Sequence, residues 1–135
     1  MKIVVLQNVE ELLDFIKTMV KRINSKRAEE ITFTTSPARV LEIVGKGESV
    51  LVISGQVLES NLKGGLLLAR RIKRLNSQRA MVFIYSNMSS DPDSAIDGFI
   101  PKQDSDVYHT LLEILVSDLE GATPESIKKA FPTVK

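Results

Sequence analysis

Five short apolar runs, at residues 3–6, 31–34, 50–54, 81–85 and 98–100, alternate along this chain with stretches of helical period. No other feature constrains the fold as strongly. A run such as VLVIS is apolar at almost every position, so it has no polar face to give to water and must be covered on both sides. Strands of that kind separated by helices form a parallel sheet with helices on each face, and right-handed crossovers make it doubly wound. Ligands of such folds sit beyond the carboxyl ends of the strands. Gln7, Asn8, Thr35, Ser54, Gly55, Gln56, Ser86, Asn87 and Lys102 fall there.

The first helical stretch repeats Val9, Leu12, Leu13, Ile16, Met19, Val20 and Ile23 at spacings of three and four. Asn8 is its expected N-cap, and Glu11 three residues on completes a capping box. Ser36 and Pro37 open a second helix, with Val40, Leu41 and Val44 as its stripe and Gly45 as its stop. A third, over 66–75, is expected to turn Leu67, Leu68, Ile72 and Leu75 inward, and its far end, RRIKRLNSQR, is basic. A last long helix runs from about 106 to 119, carrying Val107, Tyr108, Leu111, Leu112, Leu115 and Leu119 on one side, with Gly121 as C-cap. Thr123 and Pro124 then start a short extra helix over ESIKKAF, ended by Pro132. The pattern predicts one domain over 1–121 and a C-terminal extension over 122–135, with no repeat or linker.

Composition removes several kinds of chemistry. With 43% hydrophobic and 26% charged residues, the chain of 135 residues can bury an ordinary core. A net charge of +1 creates no global field for nucleic acid or anionic lipid. The lack of cysteine excludes disulfides, thiolate catalysis and Cys-based zinc sites, and a single histidine, His109, excludes a multi-His cage. The amino-terminal apolar run meets acidic residues too soon for a signal peptide, and no run approaches a membrane span. A cytoplasmic location away from membranes is therefore expected.

The fragments KIVVLQN, VLVISG, GGLLLARRIK, MVFIYS and GFIPK follow one another in an order and spacing that resembles a response-regulator receiver domain of two-component signalling, over nearly the whole chain. The resemblance implies a flavodoxin-like fold, a doubly wound five-stranded parallel sheet of order 2-1-3-4-5. In that family the first strand ends in two acids, the third in the phosphoacceptor Asp, the fourth in Ser or Thr and the fifth in Lys. Here Gln7 and Asn8 match the two acids, Gly55 matches the nucleophile, Ser86 and Lys102 match the hydroxyl and the lysine, and Phe99 matches the switchable aromatic. Phosphoryl transfer onto Asp needs a carboxylate nucleophile and a divalent cation held by hard oxygen ligands. The matched positions change from three acids plus one lysine to one lysine alone. The resemblance thus implies a degenerate receiver pocket that repels Mg²⁺, with no catalytic residue, metal or cofactor.

Three further departures accompany that loss. The segment between Gly55 and Gly65 is about two residues longer than in the family, so the loop QVLESNLKG is expected to close over the old site. Between Ser86 and Lys102 about six residues are missing, so the family's fourth helix is shortened or replaced by NMSSDPDSAID. Pro101 precedes Lys102, an inversion that removes the family's candidate for a cis peptide bond.

The expected function is a phosphorylation-independent protein–protein interaction module, as a regulatory subunit or homodimer. One alternative is a sensor in which Ser86 and Lys102 bind a small anion and move Phe99. Lys102 is equally able to pair with Glu59 or Asp97, or to reach solvent. A second alternative, nucleic-acid association, rests on Lys21, Arg22, Lys26 and Arg27 and on Arg70, Arg71, Lys73, Arg74 and Arg79. Both groups sit at helix ends where cations suit the macrodipole, and no aromatic interleaves with them to stack bases, so nucleic acid is the less favoured partner. Ser54 and Ser60 have no activating base in view, and His109 is expected on the surface. The acidic loop DPDSAID lacks the downstream Glu of a calcium loop.

Overall fold

A computed structural model describes residues 1–86, 92–101 and 109–135. Five strands, β1 (Lys2–Leu6), β2 (Ile31–Thr34), β3 (Val50–Gly55), β4 (Ala80–Ser86) and β5 (Gly98–Pro101), form one all-parallel sheet of order β2-β1-β3-β4-β5. This is the flavodoxin-like order expected from the sequence. Register runs from Lys2 opposite Val50 to Leu6 opposite Ser54, and Gly55 lies opposite Tyr85. Six helices are described: α1 (Glu10–Ile23), α2 (Ser25–Glu30), α3 (Pro37–Val44), α4 (Gly64–Leu75), α5 (His109–Val116) and α6 (Pro124–Ala130).

Side chains alternate across the sheet, and both faces are apolar. Ile3, Val5, Leu51, Ile53, Phe83 and Tyr85 face α1, α5 and α6, while Val4, Leu6, Val52, Val82 and Ile84 face α3 and α4. The β4–β5 connection carries no helix among its described residues, 92–97. No described helix is long and apolar enough to cross a membrane.

Several local expectations change. Asn8 does not cap α1: the N-cap is Val9, with no side-chain cap bond. The Asn8 Oδ1 instead accepts the Glu59 amide, 3.3 Å away and 51 residues on. A separate helix, α2, follows α1, because the Asn24 side chain accepts the Arg27 amide and starts a new turn. Its Arg27 then spends its Nε and Nη2 on the carbonyls of Leu115 and Ser117, both at 2.8 Å, closing the carboxyl end of α5. In α4 the inward residues are Gly65, Leu68, Ala69 and Ile72, while Leu67 and Leu75 are exposed. The helix starts two residues earlier than expected, and the contact at Gly65 described below sets its rotation. Val9 and Ile23, at the two ends of α1, are exposed as well. Ser36, Pro37 and Gly45 frame α3 as anticipated. α5 ends at Val116, and Gly121, at φ +73°, forms the turn beyond it. The start of the last helix, 106–108, lies outside the described residues.

The C-terminal segment docks on the body. Thr123 and Ser126 cap α6 reciprocally. Ile127, 2% exposed, and Val134 join the core on the α1/α5 face, and the Lys135 amide donates to the Phe99 carbonyl at 3.0 Å. Gly98 makes room for the Phe83 ring, 2.7 Å from where a Cβ would stand, and for Lys128 of α6, whose Cε would lie 3.2 Å from it. Ile127→Ala should therefore cost about 2–5 kcal/mol. Urea unfolding would measure it, and a loss near zero would show that the segment is an appendage.

Candidate strand-end site

β1 and β3 are neighbours and end at the same level, which brings Gln7 against Gly55. Although polar, Gln7 is only 4% exposed. Its Oε1 lies 3.0 Å from where a Cβ on Gly55 would be, so the amide lies across the bare backbone at the end of β3. The Gln7 Nε2 is buried and has no acceptor among the described residues. A buried, unmatched donor costs about 1–3 kcal/mol, so the side chain is held there by packing. Ser54, also buried, donates its hydroxyl to the Gly55 carbonyl at 2.9 Å.

The long loop after β3 is held down at both ends. Leu58 is buried in the α3/α4 core, and its amide and carbonyl exchange hydrogen bonds with Asn61 at 3.2 and 2.8 Å. Between them Glu59 and Ser60 take φ values of 51° and 64°, the pair of left-handed residues that defines a type I′ turn. Non-glycine residues rarely accept this, and here the Asn8–Glu59 bond and the Leu58 anchor hold the turn. Gln56 donates its Nε2 to the Leu62 carbonyl at 3.2 Å, and its Oε1 is buried without a donor among the described residues. The loop thus closes on the end of β1, as its length suggested. Neither the Leu58 anchor nor the role of Gln56 is legible in the sequence, where Val57, Leu58 and Leu62 are all apolar and only the fold buries Leu58 while Leu62 is exposed.

The glycine that leads α4 is required by proximity. The Gly65 amide donates to the Gln56 carbonyl at 2.9 Å, and a Cβ on Gly65 would stand 2.6 Å from the Gly55 carbonyl oxygen. That oxygen is backbone and cannot move aside.

Ser86 ends β4 opposite Pro101 and is buried. Phe99, half-buried, packs against the α3/α4 core. Lys102 and Asn87 lie outside the described residues. Structure therefore brings Gln7, Asn8 and Gly55 together with the closing loop, and sets Ser86 at the end of the next strand. The Asp97 carboxylate, a candidate partner for Lys102, is occupied by Lys73 at 2.8 Å and the Val82 amide at 2.8 Å. No group of three or more His, Asp or Glu that could hold a metal occurs among the described residues.

Other candidate residues are spread over the surface. His109 pairs with Glu113 at 2.6 Å on the exposed side of α5. Of the α4 cations, Arg70 holds Asp93 and Lys73 holds Asp97, and Arg79, in the turn after the helix, donates to the Gly47 carbonyl. The Arg70 guanidinium, aided by the Ala95 amide, keeps the Asp93 carboxyl below its ordinary range. Arg71 and Arg74 remain exposed, with no partner among the described residues.

Compared with known proteins, the chain matches no family model, no curated protein and no solved structure. Fold and site define it as a flavodoxin-like α/β protein in which the ends of β1 and β3 bring the Gln7 and Asn8 amides beside the bare backbone of Gly55.

Gly65→Ala should lose about 1–3 kcal/mol through this overlap, even though alanine is the better helix former by about 1 kcal/mol. Thermal or denaturant unfolding decides the sign. A gain would mean that α4 can slide away from β3.

Proposed function

We propose that this protein is a non-catalytic, receiver-like module that acts by phosphorylation-independent protein–protein interaction. The observation that carries the reading is the Gln7 amide lying on Gly55. In the receiver family that spot holds a carboxylate nucleophile beside metal-binding acids. Here Gln7 and Asn8 contribute neutral amides and Gly55 contributes no side chain. A divalent ion at this place would lose hydration without gaining an anionic ligand, and a phosphoryl group would find no nucleophile. Asn8 is committed instead to the closing loop, as a structural hydrogen-bond acceptor.

The basic clusters lend less support to nucleic-acid association, because Arg27, Arg70, Lys73 and Arg79 are engaged with the protein itself. One observation favours a second reading, the small-anion sensor: the Gln7 Nε2 is a buried donor with no acceptor among the described residues. A ligand with a small anionic or carbonyl oxygen would satisfy it.

Incubation with a small-molecule phosphodonor and Mg²⁺, followed by intact mass, should give no adduct. The Gly55→Asp protein should also remain unmodified, since Gln7 and Asn8 still cannot hold the metal. Stoichiometric uptake of one phosphoryl group by either protein would reject the reading. For the sensor, phosphate or a carboxylic acid should raise the melting temperature of the wild type but not of Gln7→Leu. Equal shifts in both would remove the strand end as the binding place.

A further inference from the structure

α1 carries more apolar surface than the core uses. Leu13, Ile16 and Val20 are buried, but a second row of Leu12, Phe15, Met19 and Ile23, spaced by three, four and four residues, lies beside them. Phe15 is 46% and Ile23 55% exposed, Met19 is half-buried, and Leu12, also half-buried, packs against the core along one edge. A row at this spacing is one continuous stripe along a helix.

Charge along the same helix is divided by half. Glu10, Glu11 and Asp14 occupy its first part, and Lys17, Lys21 and Arg22 its second. All six are exposed, and none makes a side-chain hydrogen bond or ion pair with another described residue. Glu11 is second from the start of α1 and Arg22 second from its end. In two helices packed antiparallel about their midpoints, Glu11 therefore faces Arg22 of the other copy, and the reverse contact forms by symmetry. By helical period both lie on the flank of the stripe next to Phe15. A surface whose two halves complement each other in this way is self-complementary, as an isologous twofold contact requires.

We propose that α1 is the seam of a homodimer, packed antiparallel on α1 of a second copy, with Leu12, Phe15, Met19 and Ile23 at its centre and Glu11–Arg22 pairs at both ends. This deepens the interaction-module reading and rests on it, by naming the partner. Phosphoryl uptake would sink that reading and leave the seam standing, whereas a monomer would sink the seam alone. Acids at a helix start and bases at its end also suit the macrodipole. The macrodipole does not, however, account for the exposed apolar row between them, and it makes no prediction about mixtures.

Sedimentation of the full chain over a range of concentrations should show a dimer that weakens with salt. Phe15→Asp should be monomeric with an unchanged circular dichroism spectrum. Glu11→Arg and Arg22→Glu should each raise the dimer dissociation constant roughly tenfold, by replacing attraction with like-charge contact. An equimolar mixture of those two variants should recover the dimer, since every facing pair is again opposite in sign. The double variant Glu11→Arg/Arg22→Glu should recover it too, and guards against a single variant that folds poorly. A wild type that is monomeric at all concentrations would overturn the proposal. So would a dimer indifferent to the single reversals, or a mixture no tighter than its components.

Discussion

The contact between the Gln7 side chain and the backbone of Gly55 is the constraint around which one end of the molecule is organised. Gly55 leaves a hollow beside the end of β1, and the buried amide of Gln7 lies across it. Gly65 lies close to the Gly55 carbonyl because it has no Cβ of its own, which would stand 2.6 Å from that oxygen. α4 is thereby set close to β3, in a rotation that buries Leu68, Ala69 and Ile72 and leaves Leu67 and Leu75 outside. The loop between them is long enough to return to β1, where Asn8 receives it. An acid at residue 55 would compete with the Gln7 amide for this space.

The rest of the fold follows from surface that must be hidden. A sheet with two apolar faces needs helices on each, and α1, α5 and α6 cover one while α3 and α4 cover the other. Cross-ties between distant segments hold these layers in place. Arg27 closes the end of α5, Asp97 links Lys73 to the start of the β4 ladder, and the chain terminus bonds to β5. Cations that look like a nucleic-acid signature in the sequence are, in several cases, the means by which helix ends and loops are secured.

What the sequence made legible was whatever depends on local period. Runs such as VLVIS can hardly be anything but doubly covered strands, and all five appear within a residue or two of their expected bounds. Ser36 with Pro37 and Thr123 with Pro124 act within one turn, and both cap as read. Asn8 reads as a cap because its Oδ1 has a local donor within reach, but the donor that wins is 51 residues away. Gln7 could be placed at a strand end, but its burial depends on Gly55 opposite, a pairing that only the β1–β3 register creates. Leu67 and Leu75 read as inward because period identifies an apolar row without saying which edge of it meets solvent.

On the proposed reading, the strand end offers amide and bare backbone and gathers neither a metal nor a phosphoryl group. The most direct measurement is an amide-resolved nuclear magnetic resonance titration with Mg²⁺ and beryllofluoride, which together imitate the phosphorylated state. The resonances of Asn8, Gly55 and Ser86 are predicted to stay in place at millimolar Mg²⁺. Saturable shifts centred on those three residues would contradict the account.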